Sequence, residues 1–162
     1  MRVVMIGVTG LVGSLLADRL LGDPAAPDVQ ALLRRPSGRC HPRWRECVAP
    51  ASEWPALVEA ADVAMSALGT TMRAAGSEAG FRAIDFDAVL AFAAAVRKVG
   101  TRRMVVISSV GAEARSRNFY LRIKGEMEGA LESLAFDRLD ILRPGLLRGP
   151  RGGDRRLAAS LR

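Results

Sequence analysis

A short apolar run, Arg2–Ile6, gives way at once to three evenly spaced glycines, Gly7-Val-Thr-Gly10-Leu-Val-Gly13, and then to a stretch with helical periodicity. A glycine triplet at a strand-to-helix junction constrains the fold more than any other feature of this chain. Gly7 permits a tight turn, Gly10 permits close approach to the backbone, and Gly13 lets the helix pack on the strand. The N–H groups at a helix start have no intrahelical partner and sit at the positive end of the helix dipole, so an anion is favoured there. The spacing G-x-x-G-x-x-G is looser than G-x-G-x-x-G. It is the position of the triplet that predicts a dinucleotide cradle, with Thr9, Leu11 and Val12 completing it.

The rest of the chain alternates short β-rich runs with longer helical ones. Strands are expected at Arg2–Ile6, Val29–Leu33, Arg45–Val48, Val63–Leu68, Arg103–Ile107 and Leu139–Leu142. Helices are expected at Leu11–Leu21, stopped by Gly22, at Glu53–Ala60, at Arg82–Val99, ended by Gly100, and from Tyr120 to Leu134. Val89, Phe92, Val96 and Val99 share one helical face, and Ile123, Met127, Leu131 and Leu134 share another. This alternation implies right-handed βαβ crossovers and an α/β, doubly wound parallel sheet with helices on both faces. The glycine turn selects the Rossmann type, whose ligands sit outside the carboxyl ends of the strands. Four segments are expected to meet there: the glycine turn, the end of the second strand, Ala67-Leu68-Gly69-Thr70, and Ser108-Ser109. With 162 residues, the chain reads as one domain over 1–150 and a basic tail over 151–162.

The end of the second strand selects the cofactor. A carboxylate there would bind the ribose 2′-hydroxyl of NAD. This chain has Leu33-Arg34-Arg35, and two guanidiniums suit a 2′-phosphate, so NADP(H) is expected over NAD(H). The net charge of +7 favours an anionic ligand in general. It does not point to nucleic acid, because 22 arginines against 2 lysines are scattered along the chain rather than gathered in a patch.

The chain's one tyrosine stands four residues before one of its two lysines. Tyr120 and Lys124 therefore share a helix face. A free tyrosine titrates near pH ~10, and a nearby ammonium eases loss of its proton. Ser109, at the end of the fifth strand, is the candidate for polarising a substrate carbonyl, with Ser108 in reserve. Other constellations carry less. Cys40, His41 and Cys47 give three ligands without the fourth that structural zinc needs. Asp85 and Asp87 read as residues that start their helix or face out from it. Arg148, Arg151, Arg155, Arg156 and Arg162 read as a solvated tail.

Taken together, these segments resemble the short-chain dehydrogenase/reductase superfamily in its atypical branch, closest to the group of proteins related to the Tat-interacting protein TIP30/CC3. The resemblance is carried by Gly7-Val-Thr-Gly-Leu-Val-Gly13, Ala67-Leu-Gly-Thr-Thr71, Gly80-Phe-Arg-Ala-Ile-Asp-Phe-Asp87, Ser108-Ser-Val-Gly-Ala112, Tyr120-Leu-Arg-Ile-Lys-Gly-Glu-Met-Glu128 and Leu142-Arg-Pro-Gly-Leu146. It implies a Rossmann fold binding NADP(H), with Ser109, Tyr120 and Lys124 at the active-site serine, tyrosine and lysine. Leu68, Gly69, Thr70, Ser108, Pro144 and Gly145 would line the cofactor. The third strand ends in Cys47-Val48-Ala49-Pro50, without the acidic residue that often approaches the adenine in relatives. Residues 151–162 look like the start of the region that walls the substrate side.

Two functions follow as expectations. One is an oxidoreductase passing a hydride between nicotinamide and a small carbonyl or alcohol, with Tyr120 moving the proton. The other is an NADP(H)-binding regulatory or sensor module acting through a protein partner or as a homodimer. Two cysteines are too few for a disulfide framework, no apolar stretch reaches membrane-span length, and the first residues are too short for a signal peptide, so the expected location is the cytoplasm.

Overall fold

A computed structural model describes residues 1–145. The expected limit at 150 and the tail over 151–162, with its arginines, lie outside the described residues. Six strands form one sheet: β1 (Arg2–Ile6), β2 (Asp28–Leu33), β3 (Trp44–Val48), β4 (Val63–Ser66), β5 (Arg103–Ile107) and β6 (Arg138–Leu142). Their order is β3-β2-β1-β4-β5-β6 and every pair is parallel. This is the doubly wound Rossmann sheet that the alternation predicted. The strand order reverses direction between β1 and β4, which is where such sheets open a ligand crevice.

The inner strands read as continuous apolar runs because helices cover both faces. One face joins Val3, Met5, Val29, Ala31 and Leu33 to Ala17 and Leu21 of helix α1 (Leu11–Leu21). The other joins Val4, Ile6, Leu32, Ala64, Met104 and Val106 to helices α5 (Val89–Lys98) and α6 (Phe119–Glu132). Val89, Phe92 and Val96 of α5, and Ile123, Met127 and Leu131 of α6, are buried as their spacing predicted. Each such side chain contributes about 1.5–3 kcal/mol by leaving water. Val99 is the exception: it caps α5 and stands partly exposed.

Register places the site. Ile6 lies opposite both Leu32 and Ser66, Ser66 opposite Val106, and Ile107 opposite Leu142. The strands therefore end level, and Gly7, Arg34, Ala67, Ser108 and Arg143 emerge along one rim.

Three differences from the sequence reading have physical causes. The expected helix at Glu53–Ala60 is a 3-10 turn, Ala51–Glu53, followed by only one turn of α2 (Trp54–Leu57). The side-chain amide of Gln30 on β2 donates to Leu57 O (2.7 Å) and accepts from Glu59 N (3.1 Å), taking groups that a longer helix would use. The fourth strand stops at Ser66, because Ala67-Leu68 folds over Gly7. Ahead of α5, the helix begins earlier than expected, as α3 (Met72–Ala75) and α4 (Glu78–Arg82), capped by the side chains of Thr71 and Ser77. A π-helical turn, Ala83–Ala88, then joins α4 to α5.

Candidate active site

The glycine turn is built for two different reasons. Gly7 has φ +79, and a Cβ on it would meet Leu68 N at 2.3 Å. A Cβ on Gly13 would lie 2.1 Å from Gly7 O. Both glycines are demanded by the protein itself, which folds the turn against β4 on one side and α1 on the other. Gly10 is not: a Cβ there would meet Gly7 O at 3.4 Å and Ala67 O at 4.0 Å, both ordinary contacts. Its bareness keeps open the space above the first turn of α1. Gly10 caps α1 without a side chain, there is no acidic residue in the first turn, and the first ladder bond is Ser14 N to Gly10 O. The free N–H groups of Leu11, Val12 and Gly13 thus face the rim with the dipole behind them.

A groove of about 640 Å³ runs from this turn along the end of β2, lined by Gly7, Thr9, Leu33, Arg34, Arg35, Trp54 and Leu68. Trp54 is held as its wall by donating Nε1–H to Ala49 O at 3.1 Å. Arg34 and Arg35 are exposed and form no ion pair among the described residues, whereas Arg39, Arg43, Arg45, Arg82, Arg102, Arg138 and Arg143 all do. No carboxylate lines the groove among the described residues. A smaller hollow of about 300 Å³ opens at the opposite end of the sheet, but its Asp28 and Glu59 are paired with Arg43 and Arg45.

At the far side of the same rim, the loop that Ser109 opens packs against helix α6, which carries Tyr120 and Lys124. Asn118 caps α6, its side chain accepting from Leu121 N at 3.1 Å. Tyr120 therefore sits in the first turn, with Phe81 of α4 packed edge-on to its ring at 5.5 Å. The loop after β5 is pressed against this turn: Glu113 N donates to Leu121 O, and a Cβ on Gly125 would lie 2.3 Å from Ala114 N. Ser109 opens that loop, half-buried, its Oγ donating to Val110 O at 3.3 Å. Ser108 faces the interior, and its Oγ has no hydrogen-bond partner among the described residues. Ser108 N donates to Leu142 O and Val110 N to Pro144 O, so Pro144-Gly145 runs beside the serine loop.

Lys124 is buried, and its ammonium lies 2.7 Å from Oδ1 of Asp85. Here the structure corrects the sequence reading. Asp85 neither starts a helix nor faces out; it is fully buried in the π-helical turn, while Asp87 is exposed as expected. Its Oδ2 accepts from Thr70 N at 2.8 Å, which pins Leu68-Gly69-Thr70 above the pair. Burial pushes the Asp85 carboxyl up from the ordinary range, and the Lys124 charge and the Thr70 N–H oppose it. A second buried carboxylate, Glu128, lies one turn beyond Lys124 and is forked by Arg143, with Nε to Oε1 at 3.0 Å. The sequence reading set Asp85 aside as a helix-start or outward-facing residue and gave Glu128 no role. Their signal was an acid at an apolar position of a helical repeat: Asp85 lies four residues from both Phe81 and Val89, and Glu128 adjoins Met127.

A doubly wound parallel sheet with a glycine turn at its switch point defines the Rossmann fold. Solved structures share it: a UDP-N-acetylglucosamine 4-epimerase from Methanobrevibacter ruminantium superposes with a TM-score of 0.77 at 17% identity, covering 95% of this chain and 57% of that one. MoeE5, in complex with UDP-glucose and NAD, gives 0.72 at 17% identity, covering 88% and 54%. The HIM1 family model matches residues 45–160, and the chain belongs to the HIM1 family. The mitochondrial protein fmp52 of Emericella nidulans is 38% identical over 159 residues, covering 93% of this chain and 68% of that protein. FMP52 of Candida albicans is 34% identical, covering 93% and 69%. The chain thus spans about two-thirds of the length of the curated relatives it matches. The expected cytoplasmic location does not stand, since these relatives are named as mitochondrial proteins.

Proposed function

We propose that this protein is an NADP(H)-dependent oxidoreductase interconverting a small carbonyl compound and its alcohol. The observation that carries the reading is that one rim bears both the open approach over Gly10 and a helix whose first two turns carry Tyr120 and Lys124, against which the loop opened by Ser109 packs. The closer likeness to the TIP30/CC3 group belongs to the same reading.

The residues suit the cofactor. The N–H groups of Leu11, Val12 and Gly13 would hold the pyrophosphate, with Thr9 beside them. Arg34 and Arg35, without an ion pair among the described residues, would fork the 2′-phosphate at the lip of the groove, where no carboxylate among those residues favours the bare 2′-hydroxyl. The backbone of Leu68-Gly69-Thr70, Ser108 and Pro144-Gly145 would line the nicotinamide half. When bound, the nicotinamide supplies or accepts the hydride. In reduction, Tyr120 gives its hydroxyl proton to the carbonyl oxygen, and the product is the alcohol; in oxidation, its phenolate takes that proton back. Ser109 donates a hydrogen bond to the same oxygen. Lys124 holds the cofactor side of the tyrosine.

A fluorescence titration with NADPH and then NADH tests the cofactor assignment. Tight NADPH binding with much weaker NADH binding is expected, and binding of neither would sink the proposal. On a substrate so identified, Tyr120→Phe should keep cofactor affinity and lose turnover.

A second reading, a sensor that binds NADP(H) and acts through a protein partner or a homodimer, is favoured by Val110 and Leu142. These apolar side chains stand 61% and 50% exposed beside the serine loop. Light scattering with and without NADPH separates the two: association that ignores the cofactor counts against the sensor.

A further inference from the structure

The proposed reading gives Lys124 the task of easing the proton off Tyr120 by its positive charge. The structure shows that this charge is not free. Its ammonium sits 2.7 Å from a carboxylate, with the Lys124 side chain 5% exposed and that of Asp85 1%. Gly69 closes over them: a Cβ there would lie 3.3 Å from Asp85 Oδ1 and 3.8 Å from Lys124 Nζ. Both partners are fixed from outside, Asp85 by the Thr70 N–H and the π-helical turn, Lys124 by the buried face of α6.

We infer that Asp85 is a positioning residue for the acid–base tyrosine. It clamps the Lys124 ammonium in place and offsets its charge, so that Tyr120 faces a near-neutral pair rather than a free cation. The effect follows from distance. A unit charge of each sign 2.7 Å apart acts on a group one helical turn away as a dipole, whose field falls off faster than that of a single charge.

Other charges around the helix do not substitute. On α6, Glu126 pairs with Arg82 of α4, and Glu128 with Arg143 after β6. Arg122 donates to Ser116 O, and Glu113, in the loop before α6, accepts from Arg115 N. Asp87 of the π-helical turn and Arg117 are exposed. Arg97 and Lys98 lie in the last turn of α5, and on β6 Arg138 pairs with Asp140.

The inference rests on the proposed reading of Tyr120 and Lys124, yet its test needs no substrate. Tyr120 is the only tyrosine in the chain, so tyrosinate absorbance near ~295 nm reports this one hydroxyl. Asp85→Asn should move the tyrosinate curve to lower pH by about one unit, since an unopposed ammonium favours the phenolate. In Asp85→Asn/Lys124→Met that displacement should vanish, because Asp85 acts through Lys124. Displacement that survives in the double variant, or none in the single, would overturn the inference. Lys124→Met provides an independent arm should Asp85→Asn fail to fold. There the unopposed Asp85 carboxylate should move the curve to higher pH, whereas Asp85→Leu/Lys124→Met, with neither charge, should lie close to wild type, and a rise of a unit or more in that double variant would show that the ammonium had been acting alone. The NADPH titration, run on the same samples, separates the two failures. Loss of binding strikes the proposed function, while an unmoved tyrosinate curve with binding intact strikes only the role of Asp85.

Discussion

Gly125 of α6 lies against the backbone of Ala114, so closely that a Cβ would stand 2.3 Å from its nitrogen. This contact sets the distance between the loop opened by Ser109 and the helix that carries Tyr120 and Lys124. Gly125→Ala should push α6 away from the loop. The expected loss is about 1–3 kcal/mol, as for other overpacked sites, or roughly 2–4 °C of Tm per kcal/mol. A thermal melt measures it, and a Tm equal to wild type would show that the loop yields instead.

The three glycines of the turn should separate under the same substitution. Gly13→Ala drives a methyl into Gly7 O, 2.1 Å away, and should cost the fold, read as loss of a cooperative melt. Gly10→Ala has 3.4 Å of room and should fold normally. Its NADPH affinity should fall about tenfold or more, the cost of one charge-assisted bond to phosphate. Gly10→Ala that binds like wild type would mean that the open space over α1 is not the phosphate site.

Arg34→Ala and Arg35→Ala should each weaken NADPH by about tenfold to a hundredfold, the range for a lost hydrogen bond to a charged group. NADH binding should be nearly unchanged, and the NADPH loss should shrink as salt is raised. Equal losses for both cofactors would place the arginines elsewhere than on the 2′-phosphate.

The buried pair has a pH signature. Burial raises the Asp85 carboxyl above its ordinary value of 3.8, so the folded state holds that proton more tightly than the unfolded chain does. The stability this contributes is fully present below the unfolded value and is lost as the pH climbs through the folded one. Wild type should therefore gain least over Asp85→Asn at neutral pH and most in acid, and paired melts from acid to neutral check the trend. At neutral pH, Asp85→Leu/Lys124→Met should be neutral or up to about 4 kcal/mol more stable, because the pair's desolvation is no longer incurred. A strongly destabilised double variant would contradict this.

What could be seen in the sequence was local. The glycine turn, the apolar strands and the buried stripe of α5 each lie within a dozen residues, and periodicity reveals them. The doubly wound parallel sheet followed from the alternation, and its Rossmann type from the glycine turn. Asp85 was misread because its partner is 39 residues further on. A carboxylate at an apolar position looks like a surface residue until the cation it meets is known. The short α2 was overestimated for the same kind of reason: Gln30, on another strand, takes the hydrogen bonds that would have extended it. Location failed differently, since an argument from missing signals has no residue to rest on.

Phe81, Asp85 and Val89, four residues apart across the π-helical turn at Ala83–Ala88, are all buried. Each step of a regular α-helix rotates by about 100°. Loss of a single residue there would restore regular winding and leave composition almost untouched, yet would swing the carboxylate away from its lysine. The segment behaves like a reading frame written in angle: the chemistry on α6 depends on how many residues precede α5, not only on which.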